Sequence, residues 1–193
     1  MEIKQMTYRE RLREVADENY GYVTTADLQP LGIPAVELRK LANRGKLLHI
    51  RRGVYRFPGT HPTERDAFAT ALAAVGPDAY LVRDAVLALH GLAFVNPTKI
   101  RVATPRRVRH EVPDFVKLEQ TGSDTDQLKT YEGLRTTTVA RAILDSRGLV
   151  LPERLEEALR DAREQGLVSK KEFQELRKVM RAGRKNYVSN TAA

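Results

Sequence analysis

Between Pro34 and Arg44 the chain reads PAVELRKLANR, and these side chains sort into two sets when wound as a helix. At about 100° per residue, Ala35, Leu38, Leu41 and Ala42 fall together on one side. Val36, Arg39, Lys40 and Asn43 cluster on the other, with Arg44 beside them. Such a face carries hydrogen-bonding chemistry that suits the edges of base pairs. Arg can pair bidentately with guanine, Asn with adenine, and Val can touch a thymine methyl. An ordinary solvated helix has the same make-up, so this helix alone decides nothing.

Its surroundings decide more. Tyr8 to Asn19 has Leu12, Val15 and Ala16 at helical spacing, and Tyr20-Gly21 closes that helix. Thr24 stands three residues before Asp27, a variant capping box that predicts a short second helix from Thr25 to Leu31. Gly32 ends it, and Pro34 suits the first turn of a third. Gly45 stops that third helix. Lys46 to Ile50 and Val54 to Phe57 then read as strands, with Arg51-Arg52-Gly53 as a tight turn between them. Three helices followed by a basic-tipped hairpin describe a winged helix-turn-helix. In that arrangement the third helix enters the major groove and the wing touches the backbone. Arg39, Lys40 and Asn43 are therefore expected to read bases, with Val36 beside them. Arg44, Arg51 and Arg52 are expected to hold phosphate. RNA is the competing ligand for the same element.

Charge is distributed to match. The 193 residues carry a formal net charge of +8, which favours a polyanionic partner. Residues 33–60 hold seven basic residues against one acid. Lys99 to Arg109 adds five basic residues, Glu111 to Glu132 is acidic, and Lys170 to Lys185 is basic again. Arg106, Arg107 and Arg109 stand out as candidates for contact with nucleic acid or with an acidic protein face; solvated charge explains them equally well.

Behind a linker at Gly59 to Pro62, a helix is expected from Thr63 to Val75 and another from Ala79 to Leu89. Strands are expected near Lys99 to Ala103, Phe115 to Leu118 and Leu128 to Tyr131. Helices at Thr138 to Ser146, Pro152 to Gln165 and Ser169 to Ala182 complete the order. His90 is read as a partly cationic imidazole favoured by the end of its helix. Arg141 and Asp145, four apart, form an intrahelical pair.

The run GYVTTADL from Gly21, then Leu38 and Leu41, Gly45-Lys46-Leu47, and Arg52-Gly53-Val54-Tyr55 resemble the N-terminal domain of AbiEi antitoxins. Asp84 to Leu92, Val102 to Pro105 and Gly133 to Asp145 resemble the region that follows it in that family. The resemblance spans about two thirds of the chain. It implies an α+β protein: a winged helix-turn-helix over residues 1–60, followed by a mixed α/β antitoxin domain with C-terminal helices over residues 61–193. It also implies an antitoxin that represses its own operon at inverted repeats in double-stranded DNA. The second domain would counter a cognate nucleotidyltransferase-like toxin, directly or indirectly.

Other classes fare less well. The sequence has no Cys, which excludes disulfide scaffolds and thiolate metal sites. His49, His61, His90 and His110 lack paired metal-ligand spacing, and there is no G-x-x-x-x-G-K or G-x-S-x-G. Pro113-Asp114 resembles the opening of a metal-dependent nuclease motif, but no Glu-x-Lys or Asp-x-Lys follows it. No catalysis, cofactor or metal is expected. No apolar run approaches the ~20 residues of a membrane span. The first ten residues lack the apolar core of a signal peptide, so a cytoplasmic location without membrane contact is expected. A stand-alone winged-helix regulator without toxin control, and a nucleic-acid-processing enzyme, remain the alternatives.

Overall fold

The computed structural model describes residues 6–60, 63–120 and 127–190, with side chains described as far as Arg181 and excepting Gln120. The linker residues His61 and Pro62 thus lie outside it. The chain forms a three-stranded and a five-stranded sheet, flanked by helices.

Helix α1 (Tyr8–Glu18) starts at Thr7, whose side chain accepts from the Glu10 amide while Glu10 bonds back to the Thr7 amide. This reciprocal cap satisfies donors that the first turn would leave open. Strand β1 (Tyr22–Thr24) follows, absent from the sequence reading because three residues are too few for a period. Helix α2 (Leu28–Leu31) is a single turn, shorter than expected. The Asp27 carboxylate accepts from the Thr24 amide at 2.6 Å and hydroxyl at 2.8 Å, which fixes the entry to that turn. Helix α3 (Val36–Asn43) and strands β2 (Leu48–Arg51) and β3 (Val54–Arg56) complete a winged helix-turn-helix.

The small sheet has the order β1-β3-β2 and two dissimilar faces. Val23 and Tyr55 are cross-strand partners and sit in a core with Leu12, Leu38, Leu41 and Phe57. Tyr22 and Val54, one residue out of phase, belong instead to the core of the region that follows. The sheet is therefore shared between two hydrophobic cores.

That second core is built on helix α4 (Asp66–Val75), strand β4 (Tyr80–Leu81) and helix α5 (Asp84–Leu89). A 3₁₀ turn (Leu92–Phe94) leads to strands β5 (Ile100–Thr104), β6 (Val116–Gln120), β7 (Leu128–Tyr131) and β8 (Leu134–Thr137). The sheet order β6-β5-β4-β8-β7 mixes parallel and antiparallel pairs. Helices α6 (Val139–Asp145), α7 (Pro152–Glu164) and α8 (Lys170–Asn190) finish the fold. Ala79 to Leu89 is thus not one helix. Tyr80-Leu81 is the central strand, and Arg83, at φ +55°, breaks the chain before α5 begins. A strand buried on both faces has no alternation, so its apolar run merged with that of the helix.

Several contacts fasten the two regions together. Tyr22 Oη lies 2.9 Å from Thr70 Oγ1. Arg56 pairs with Asp66 at 2.5 Å and rests on the Tyr22 ring. Tyr20 donates to the Glu132 carbonyl at 3.0 Å, and Arg65 pairs with the Glu132 carboxylate. At the β7–β8 turn, Gly133 has φ +77°, and a Cβ there would come within 2.7 Å of the Glu18 carbonyl oxygen. Only glycine lets that turn approach the end of α1 so closely.

Candidate nucleic-acid interface

Helix α3 is anchored from behind. Leu38 and Leu41 are buried and Ala42 is half-buried, while Ala35, expected on the same side, is exposed at the helix start. Burying the two leucines contributes about 1.5–3 kcal/mol each and fixes the rotation of the helix about its axis. Val36, Arg39, Lys40, Asn43 and Arg44 are consequently all exposed. Val36 is 49% exposed, large for an apolar residue on a short helix. Lys40 Nζ pairs with Glu37 at 2.8 Å, one turn away. Among the described residues Arg39 and Arg44 have no carboxylate within ion-pair distance, and neither does Lys46 after the helix. The face offers guanidinium, ammonium, amide and methyl groups side by side.

The wing differs from its expected form. Strand β2 pairs Leu48 with Arg56 and His49 with Tyr55, and then the register shifts, so that Arg51 pairs with Val54. Ile50 is the extra residue of this bulge. The insertion turns Arg51 onto the Val54 face, toward the second core. Its guanidinium is half-buried, with Nη1 unpaired among the described residues and Nη2 3.4 Å from His110 Nδ1. Burial lowers the Arg51 pKa from its ordinary value. Arg51, expected to hold phosphate, thus has its guanidinium half-buried beside His110. Arg52 remains exposed at the tip of the turn. Thr25 donates its amide to the Gly53 carbonyl at 2.9 Å, which ties this short wing to the end of β1.

The second basic block sits beside the wing. His110 Nε2 lies 2.9 Å from the Ala74 carbonyl oxygen at the end of α4. A proton on Nε2 lets that nitrogen donate to Ala74 while Nδ1 accepts from Arg51. His110 thereby seats the loop from Pro105 against the wing. Arg107 and Arg109 are exposed, and Arg106 pairs with Asp78 at 2.7 Å.

Charged groups elsewhere in the second region answer one another. Arg83 pairs with Glu119 at 2.9 Å, and Arg101 lies 3.5 Å from Asp84 and 3.6 Å from Glu119. Burial pushes the Asp84 carboxyl up against the pull of Arg101. Arg141 pairs with Asp145 at 2.6 Å, as their spacing predicts. His90 is not partly cationic. Burial lowers its pKa to about 4, with Arg65 adding to the effect, and its ring packs 4.0 Å from that of Tyr131. The cation loses hydration on burial and is repelled by Arg65, and together these outweigh the attraction of the helix end. Among the described residues no group of three or more His, Asp or Glu could hold a metal, and no helix is long and apolar enough to cross a membrane.

Residues 10–58, the stretch that holds most of α1, the small sheet and α3, match the family described as AbiEi antitoxin transcriptional regulators. Over that stretch the winged helix is similar to those regulators. That family is described as regulatory, and the matched stretch holds every residue of the α3 face. The match ends before α4, so the likeness over Asp84 to Asp145 rests on the motifs alone. No curated protein matches. Among solved structures, the RV2827C protein from Mycobacterium tuberculosis is similar at 16% identity, over 89% of this chain and 81% of that one, with a TM-score of 0.35.

Proposed function

We propose that this chain is an AbiEi-type antitoxin, with residues 1–60 as its DNA-binding domain and residues 61–193 as its antitoxin domain. The first domain binds operator DNA in its own promoter, at inverted repeats, and represses the operon. The observation that carries the reading is the α3 face: five exposed side chains able to contact bases or phosphate, on a helix whose back is locked by Leu38 and Leu41. Arg39, Lys40 and Asn43 read base edges, and Val36 meets a thymine methyl. Arg44 and Arg52 hold phosphate. Arg107 and Arg109 continue the cationic surface from the wing, because His110 seats their loop there. The second domain counters a nucleotidyltransferase-like toxin, and the protein acts in the cytoplasm without a membrane partner.

A gel shift on the DNA upstream of the gene tests the first half. The wild type shifts it, and Arg39→Ala with Lys40→Ala weakens binding by about a hundredfold, as two lost base contacts of ~1–3 kcal/mol each imply. Equal shifts by both proteins would remove α3 from the interface. Co-expression with a nucleotidyltransferase-like toxin gene, if one adjoins this gene, tests the second half. Growth is rescued if the chain is an antitoxin, and a stand-alone regulator gives no rescue.

A further inference from the structure

The last two helices form a cleft that the DNA-binding reading does not use. Along α7, Glu156, Leu159, Arg160 and Arg163 recur at helical spacing; along α8, Phe173, Arg177, Met180 and Arg181 do the same. The cleft between them has a volume of about 200 Å³ and opens into a wider basin lined by Arg163, Lys170 and Lys178. Leu159, Phe173 and Met180 make its apolar floor, and Arg160, Arg177 and Arg181 stand along its walls. Among the described residues none of these six cations has a carboxylate within ion-pair distance. Glu156 is the one acid among the lining residues.

We propose that this cleft is a docking groove for an acidic amphipathic helix of a partner protein. Two features of the cleft select that occupant. The walls are cationic on both sides, so the partner must carry negative charge along both flanks. The floor is apolar, so the partner must also offer side chains that leave water. Phosphate satisfies the walls and leaves the floor wet, whereas a helix with Leu at i, i+3, i+4 and i+7 and Glu between satisfies both. Phe173 to Arg181 spans about 12 Å, room for two turns of such a helix. Met180 adds a flexible surface that adapts to the partner's side chains.

The test uses the full chain and fluorescein-labelled helical peptides of about 18 residues, each long enough to overlap the groove. The Leu/Glu peptide is expected to bind, with affinity falling as salt rises. A Leu/Lys peptide and a Ser/Glu peptide each bind at least about tenfold more weakly. Arg177→Glu with Arg181→Glu, two exposed positions, weakens the Leu/Glu peptide by at least about tenfold with an unchanged circular dichroism spectrum. Arg160→Glu on the opposite wall has the same effect and guards against a local defect in α8. Equal binding of all three peptides, no binding by any of them, or insensitivity to both charge reversals overturns the proposal. So does a single-stranded oligouridine that binds in a manner sensitive to both reversals while the Leu/Glu peptide does not, which assigns the groove to RNA. Loss of operator binding by Arg39→Ala with Lys40→Ala has no bearing on these readings, so failure of the two assignments can be told apart.

Discussion

The winged helix and the region behind it carry similar cations and place them differently. On the α3 face and the wing tip, Arg39, Arg44 and Arg52 project into water without carboxylate partners among the described residues. In the second region Arg83, Arg101, Arg106, Arg141 and Arg154 each face an acid of the same chain. A cation with an internal partner is already neutralised, and a phosphate must compete with that partner for it. Free cations are the ones that release counterions from DNA. Net charge thus says less than pairing about which surface meets a polyanion. The groove between α7 and α8 falls on the free side of this division, as do the exposed Arg107 and Arg109 beside the wing.

The sharpest way to break this comparison is within the first region. Arg39→Ala with Asn43→Ala should bring operator affinity close to that for scrambled DNA, a loss of about 2–6 kcal/mol from two base contacts. Arg52→Ala should instead weaken both DNAs alike, since phosphate carries no sequence information. Competition assays with both duplexes check this. If Arg52→Ala erased discrimination and the double variant did not, the roles of helix and wing would be reversed.

At the junction, Asp66→Ala leaves Arg56 partly buried without its carboxylate. A loss of about 1–3 kcal/mol in unfolding free energy is expected, read from denaturant melts. DNA affinity at saturating protein should hold, because neither residue faces the α3 surface. Gly133→Ala, close to the Glu18 carbonyl, should destabilise the same junction by a comparable amount. An unchanged midpoint for both variants would mean that the two regions do not depend on each other.

His90 supplies a pH signature for the second region. Its folded pKa of about 4 lies below the unfolded value near 6.5, so the unfolded chain binds the extra proton first. Stability from this group is fully present above pH ~6.5 and falls as pH drops toward ~4. His90→Phe should flatten that part of the pH–stability curve. A wild-type curve already flat across this window would mean that the ring is solvated. The smallest effect belongs to Arg154→Ala, whose exposed pair with Glu157 is worth about 0.3–0.5 kcal/mol.

Much of the first region was legible in the sequence because α3 is amphipathic: Leu38 and Leu41 mark its buried side, so the exposed set follows by geometry. Arg51 was not legible. Its orientation depends on the Ile50 bulge, and nothing in HIRRG distinguishes a bulged strand from a regular one. The second region was legible in its amphipathic helices and in β5 to β7. Strands β1, β4 and β8 escaped because each is short and two of them lie within the larger sheet, where neighbours on both sides replace the alternating pattern. His90 was misread for a related reason: its neighbours in sequence signal a helix end, while its environment comes from Tyr131 and Arg65, distant in sequence. The AbiEi likeness reached the winged helix through the Arg52 to Tyr55 hairpin and its preceding helices, which is also where the family match falls.

The most direct measurement is the salt dependence of operator binding, compared between two charge-removing variants. Arg39→Ala/Arg44→Ala/Arg52→Ala removes free cations; Arg141→Ala/Arg154→Ala removes paired ones. The first should lower affinity by at least about a hundredfold and reduce the slope of log K against log salt by about 2, since Arg44 and Arg52 each give up a phosphate contact that contributes about 0.9. The second should leave affinity within about twofold and the slope unchanged. Equal changes in slope for the two variants would contradict the account, because they would show that total charge, and not the unpaired α3 and wing cations, brings this protein to DNA.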